Sequence, residues 1–170
     1  MKKWHGLMKI AEAEHIRDGK VLWREENILN TFHAGGELFL LSCGFDNDGS
    51  YPPEEYYIGL DNRTTVTVED LMTDLVDEPV GNGYLRQSVS SNGGFTIDLV
   101  NNVYVATSQI LTFSASVMTG YGPISTIFIT TKSDDTGILL ATATFSNPFS
   151  FNAGDIFNTR INLSLQDGGS

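Results

Sequence analysis

Residues 124–146 read Ile-Ser-Thr-Ile-Phe-Ile-Thr-Thr-Lys-Ser-Asp-Asp-Thr-Gly-Ile-Leu-Leu-Ala-Thr-Ala-Thr-Phe-Ser, and this stretch decides the fold class. β-branched and aromatic residues are frequent on both sides of Asp134-Asp135-Thr136-Gly137, a sequence typical of a turn. Residues 142–145 also alternate between polar and apolar, as a half-buried strand does. The stretch therefore predicts two strands separated by a turn.

Similar runs lie on both sides of it, each bounded by Gly, Pro, Asn or Asp. They predict further strands at Tyr56–Leu60, Tyr84–Ser90, Phe95–Val100, Tyr104–Val117 and Ile161–Leu165. Short strands separated by regular turns are typical of antiparallel folds. We expect a mainly β protein, either an antiparallel β-sandwich or a barrel-like fold of the jelly-roll or tulip type.

The N-terminus predicts a β-hairpin. Residues 9–14 alternate between polar and apolar, Asp18-Gly19 is a strong hairpin-turn sequence, and residues 21–24 begin a return strand. A helix over residues 7–16 is the competing interpretation, because Ala and Glu favour helices. We assign residues 1–30 to an N-terminal arm or hairpin and residues 31–170 to a single β-rich domain.

One or two short helices are expected in the first half of the chain. Residues 34–43 are rich in Leu and lack β-branched residues, which favours a helix that ends at Gly44. Thr67 could cap a second helical turn that runs to Met72, because Glu69 and Asp70 suit a first turn.

Charge is distributed unevenly along the 170 residues, which carry a formal net charge of −11. Residues 1–24 hold six basic and three acidic side chains, whereas residues 25–98 hold two basic and fourteen acidic ones. An acidic surface repels phosphate groups, so we expect neither nucleic acid nor an anionic membrane as a partner. The basic start is either an ordinary strand with solvated lysines or an arm that contacts an acidic neighbouring copy.

Motifs of catalysis and cofactor binding are missing from the sequence. It contains no G-x-S-x-G, no Walker A loop and no G-x-G-x-x-G, so we expect no enzyme, no catalytic residues and no cofactor. Cys43, the single cysteine, lies in an apolar run and is expected to be buried. Charged residues interrupt the N-terminal apolar stretch, which argues against a signal peptide, and no window is long enough to span a membrane.

The acidic loop after residue 44 is a weak calcium candidate. If Gly49 takes the sixth place of a calcium loop, then Asp46, Asp48 and Glu55 fall at places three, five and twelve. Place one would be Gly44, which has no ligand atom in its side chain. A solvated turn is the favoured interpretation, and we expect no bound metal.

Several segments of the chain resemble the structural proteins of tailed-bacteriophage virions. The segments are Asp18–Asn27, Tyr57-Ile58-Gly59-Leu60, Thr67–Leu71, Glu78–Gln87 and Phe149–Asp155 followed by a closing strand at Asn162–Leu165. The likeness is greatest to head decoration proteins, also called auxiliary capsid proteins. These are small β-rich proteins that often assemble as trimers, and they have no catalytic residues to carry over.

The resemblance implies a non-enzymatic virion protein, made in the host cytoplasm, that stabilises the capsid by binding its outer shell. Its expected partners are the major capsid protein and further copies of itself. Trp4 and Trp23 are the interface candidates, because an exposed Trp is unfavourable unless a partner buries it, and the alternative is that both pack within one subunit. The alternatives are a tail, neck or fibre component and a carbohydrate-binding β-sandwich module.

Overall fold

The structure is a computed structural model that describes residues 3–46 and 51–168, with side chains in the same ranges except at residues 3–6, 29 and 166–168. This part of the chain holds ten strands, one α-helix and one 3-10 helix. Their bounds are β1 (Lys3–Arg17), β2 (Lys20–Phe32), α1 (Ala34–Phe45), β3 (Glu55–Asp61), the 3-10 helix (Met72–Asp74), β4 (Gln87–Ser90), β5 (Phe95–Val100), β6 (Val103–Ser108), β7 (Leu111–Ser114), β8 (Tyr121–Thr130), β9 (Leu139–Phe151) and β10 (Ile156–Gly168). Neither described helix has the length and apolar character needed to cross a membrane.

The strands form two antiparallel sheets. The first sheet has the order β2-β1-β10-β6-β5, and β7 also pairs with the beginning of β10. The second sheet has the order β4-β3-β8-β9, and the last residues of β2 join it beside β9. Because β2 pairs first with β1 and then with β9, one strand belongs to both sheets.

The arrangement confirms a β-sandwich and excludes a closed barrel. The order of strands ends at β4 on one side and at β5 on the other, and these two described strands do not pair with each other. Closure would have joined them. Both therefore remain edge strands.

The core lies between the two sheets. Alternate residues of β1, β3 and β10 face it. β8 is buried along almost its whole length because both faces of the second sheet are covered at this strand. The largest fully buried side chains in this core are Met8, Ile10, Ile58, Leu60, Phe113, Ile124, Ile127, Ile129, Phe157 and Ile161.

The predicted N-terminal hairpin forms, with longer strands than the sequence pattern indicates. Asp18 and Gly19 both have positive φ, 50° and 72°, which is the geometry of a two-residue hairpin turn. β1 then lies between β2 and β10 and pairs with β10 along nearly its whole length. The hairpin therefore contributes to the same core as the rest of the chain.

Two helix boundaries differ from the prediction. The helix α1 continues past Gly44 and ends at Phe45, with Asp46 as its C-cap. Thr67 does not cap a helical turn, because the Asp70 carboxylate accepts hydrogen bonds from the N–H and the hydroxyl of Thr67 and holds these residues in a tight turn. The 3-10 helix begins only at Met72.

Gly36 sets the distance between α1 and the second sheet. It is the buried residue of the helix, and a Cβ atom built on it would lie 2.5 Å from the carbonyl oxygen of Leu140 in β9. Only a residue without a side chain allows this approach. The helix is therefore held against the backbone of β9, and Phe39 packs against the core. Leu38, Leu41 and Phe45 face outward.

We expect Gly36→Ala to lower the free energy of unfolding by about 1–3 kcal/mol, because the added methyl group must push α1 away from β9. Gly44→Ala in the same helix is the matched control. A Cβ atom there meets nothing within 4 Å, so this substitution should stabilise the protein by up to about 1 kcal/mol. Urea unfolding of both variants measures the difference, and equal effects of the two would contradict the packing role of Gly36.

Candidate functional site

The first sheet extends beyond the layer that covers it. Along β10, the core-facing side chains pass from buried at Ile161 to half-buried at Leu163 and to 62% exposed at Leu165. All three belong to the same face, because residues two apart in a strand point to the same side. The core-facing side of this sheet is therefore exposed at the end of β10.

The neighbouring strands show the same change. Ser108 and Phe95, which pair between β6 and β5, are buried and half-buried, whereas Ile97 is 68% exposed and Tyr104 is 70% exposed on the same face. Leu99, which pairs with Tyr104, is exposed as well. We call Ile97, Leu99, Tyr104 and Leu165 the uncovered end of the first sheet.

The helix α1 lies at this end and is apolar on every side. Its sequence, Ala-Gly-Gly-Glu-Leu-Phe-Leu-Leu-Ser-Cys-Gly-Phe, contains a single charged residue. Leu38, Leu41 and Phe45 follow one another at helical spacing and are exposed, Phe45 by 89%. We call these three the helix ridge. A helix of this composition is normally buried, so its exposure is unusual, and exposed apolar surfaces of this kind are typical of sites of interaction.

Two apolar grooves, each of about 510 Å³, flank the helix ridge. One groove lies between α1 and the 3-10 helix, and its lining includes Leu38, Phe39, Leu71, Met72, Ile138 and Leu139. The other lies between α1 and the uncovered end of the first sheet, and its lining includes Phe32, Leu40, Tyr56, Phe95, Ile97 and Tyr104. Together they make one apolar surface around the helix.

This surface is suited to binding rather than to acid–base chemistry. Most of its side chains are aliphatic or aromatic, and burial raises the pKa of Tyr56, so its phenol stays neutral. Residues 25–98 hold two basic side chains, and each has an acidic partner: Arg63 lies 3.0 Å from Asp70, and Arg86 lies 2.5 Å from Glu78. Both basic side chains of this acidic segment are therefore paired with carboxylates.

The two tryptophans named as interface candidates have different positions. Trp23 packs within the subunit, with ring centroids 4.9 Å from Phe149 and 5.9 Å from Phe145. Trp4 lies in β1, where its backbone pairs with Asp167, but its side chain is outside the described residues. The interface role of Trp4 therefore stays a prediction, whereas Trp23 belongs to the core of its own subunit.

The two described calcium candidates, Asp46 and Glu55, belong to different elements. Asp46 caps the end of α1, and Glu55 begins β3, where its carboxylate accepts a hydrogen bond from the Tyr57 hydroxyl at 2.9 Å. Asp48 lies outside the described residues. Within residues 3–46 and 51–168, no three His, Cys, Asp or Glu side chains lie close enough together to hold a metal ion.

Residues of the segments 57–60 and 78–87 hold loops to the sandwich. Arg86 donates two hydrogen bonds to Glu78, at 2.8 and 2.5 Å, and its guanidinium lies 5.2 Å from the centre of the Phe128 ring. The Tyr84 hydroxyl donates to the same carboxylate at 2.7 Å. Gly59 leaves room for the Phe128 ring, since a Cβ atom there would lie 2.2 Å from it.

A buried charge cluster closes the opposite end of β1. Arg17 donates two hydrogen bonds of 2.8 Å to the fully buried Asp155, and Nε2 of His15 lies 2.8 Å from the same carboxylate. The Asn152 backbone N–H donates a further bond of 2.7 Å. These bonds, first among them those from Arg17, hold the pKa of Asp155 well below its ordinary value. The cluster fastens the start of β10 to the end of β1.

Sequence reasoning predicted the helix at residues 34–43 but not its exposure. The signal was present in Leu38-Phe39-Leu40-Leu41, because four successive apolar residues in a helix cannot all face one core. Comparison with known proteins adds no identification, since no family model matches the sequence and no curated protein matches it.

We expect Asp155→Asn to lower the free energy of unfolding by about 3 kcal/mol at pH 7, because Arg17 and His15 lose a buried carboxylate partner. The pKa of Asp155 is depressed in the folded state, so its stabilisation is present above the unfolded value of about 3.9 and is lost as the pH falls through the folded value. The difference in the free energy of unfolding between wild type and variant should therefore become smaller below about pH 4.

Urea unfolding between pH 7 and pH 2.5 measures this change. Asp77→Asn is the matched control, because the Asp77 side chain is exposed and its substitution should change stability by less than about 0.5 kcal/mol. If the difference in the free energy of unfolding between wild type and Asp155→Asn stays constant with pH, the role given to the Asp155 carboxylate is contradicted.

Proposed function

We propose that this chain is a non-enzymatic structural protein of a tailed-bacteriophage virion, most similar in role to a head decoration protein. It binds the outer shell of the capsid as an oligomer, contacts the major capsid protein through the helix ridge, and thereby stabilises the shell. The proposal joins the resemblance of several sequence segments to the apolar surface around α1.

The observation that carries it is the exposure of a helix that is apolar on all sides. Complete burial of one Leu or Phe side chain contributes about 1.5–3 kcal/mol. Leu38, Leu41 and Phe45 could therefore contribute several kcal/mol to a contact, although association and side-chain ordering offset part of it. Repetition of a modest contact over a symmetric shell would raise the overall affinity by multivalency.

The charge distribution is compatible with a position on the outside of the shell. Residues 25–98, with two basic and fourteen acidic side chains, have a net charge of −12 in a chain whose total is −11, and packaged DNA would repel such a surface. The resemblance implies trimers, and the number of subunits per oligomer belongs to the proposal.

We expect the double substitution Leu41→Asp and Phe45→Asp to weaken binding to the shell at least tenfold, because it places two charges in the contact. Both side chains are exposed, so the free energy of unfolding should change by less than about 0.5 kcal/mol per site. Co-sedimentation with expanded capsids that lack the protein measures the binding.

A double control carries the same added charge elsewhere. Val80 and Val117 are each about nine-tenths exposed and lie in loops outside the two grooves, so Val80→Asp with Val117→Asp should bind like wild type. Wild-type protein that fails to bind such capsids would contradict the proposal. Gold-labelled antibody that marks the tail instead of the shell would favour a tail, neck or fibre component.

A further inference from the structure

The strand β5 is the longest weakly protected edge in the described part of the protein. The other terminal strand of the sheet order, β4, has four residues, whereas β5 has six. The outer side of β2 carries four charged residues at 20, 24, 25 and 26 and a left-handed residue at Asn27, features that discourage pairing. β5 contains one charged residue, Asp98, and no proline.

The hairpin turn determines which backbone groups of β5 are available. Asn101 and Asn102, with φ of 50° and 63°, form a two-residue turn flanked by Val100 and Val103, which pair with each other. Hydrogen-bonded and non-hydrogen-bonded pairs alternate from there. The N–H and C=O groups of residues 96, 98 and 100 therefore point to β6, and those of residues 95, 97 and 99 point to the open edge.

We propose that β5 pairs antiparallel with β5 of a second copy of this chain, across a two-fold axis at Ile97. In this register Ile97 pairs with itself, and Phe95 pairs with Leu99 of the second copy. Residues 95, 97 and 99 all offer their backbone groups to the edge, so six hydrogen bonds join the two strands. The first sheets of the two copies then form one continuous sheet.

Charge and overlap select this register over its neighbours. Asp98 lies opposite Thr96 of the second copy, so no two carboxylates face each other. A shift of the register by one pair toward the turn would place Asp98 opposite Asp98 of the second copy, and two facing carboxylates repel each other. A shift the other way would leave Leu99 opposite Gly93, outside the strand.

The available area predicts a weak dimer. Ile97, Leu99 and Tyr104 leave roughly 400 Å² of apolar surface exposed, about half of the ~800 Å² per partner in a standard interface. The net charge of −11 on each copy also opposes association. The dimer should therefore depend on protein concentration and become stronger with added salt.

Self-pairing deepens the proposed function but does not depend on it. Two joined copies present two helix ridges, so a dimer could bind a repeating shell through two contacts. A three-fold contact, as the resemblance implies, would use a different surface. If its axis is perpendicular to the two-fold axis and intersects it, the two contacts together give an assembly of six subunits.

Disulfide trapping in a Cys43→Ser background tests the register. Paired residues have Cα atoms about 4.5–5.5 Å apart, within the range that a disulfide can span. Ile97→Cys should therefore cross-link with itself under mild oxidation. In this register, the Cα atoms of residue 96 in the two copies are roughly 8 Å apart, and so are those of residue 98. Neither Thr96→Cys nor Asp98→Cys should therefore cross-link alone. A mixture of the two variants should cross-link, because residue 96 of one copy lies opposite residue 98 of the other.

Analytical ultracentrifugation of the protein without added cysteines provides the second measurement. Wild type should show a mass that rises from one to two subunits with concentration, and Ile97→Lys should weaken this association at least tenfold. Val117→Lys, at an exposed site between β7 and β8, is the matched control and should associate like wild type.

Three results would overturn the pairing of β5. They are one subunit at every concentration, an oligomer that Ile97→Lys leaves unchanged, and cross-linking of Thr96→Cys alone as strongly as of Ile97→Cys. A dimer that passes these tests but does not bind capsids would contradict the proposed function and leave the pairing intact.

Discussion

The difference in length between the two layers of the sandwich is the constraint on which the rest of this structure depends. β10, β6 and β5 continue past the second sheet, and their core-facing residues change from buried to exposed within two or three pairs. The hydrophobic effect favours covering such residues. Both apolar grooves, the helix ridge and the open edge of β5 lie at or beside this end, so the places suited to contact are concentrated there.

The opposite end of the first sheet is closed by polar interactions. Asp155 is buried with Arg17 and His15 at the turn before β10, so the start of β10 and the end of β1 are held together. A buried carboxylate is stable only when it is paired and hydrogen-bonded. The structure thus combines one end fixed by charge with one end that exposes apolar surface.

Much of the fold could be predicted because local patterns and tertiary packing agree. Asp18-Gly19 forms the predicted turn, β5 has the predicted bounds, and a helix begins at Ala34. The predicted strand at 104–117 divides into β6, which ends at Ser108, and β7, and both pair with β10. At the end of β6 the Ser108 hydroxyl accepts a hydrogen bond from the backbone N–H of Ile161. Such a bond across 53 residues has no local signature.

The sequence by itself determined the class of the fold, since alternating β-branched residues and turn residues act within a few positions of one another. It also determined the acidity of the middle of the chain. Only the tertiary structure decided that the apolar residues of α1 and β5 are exposed and that those of β8 are buried, although both sets are equally apolar in sequence. Burial depends on how far one layer extends over another, and residues distant in the chain set that overlap.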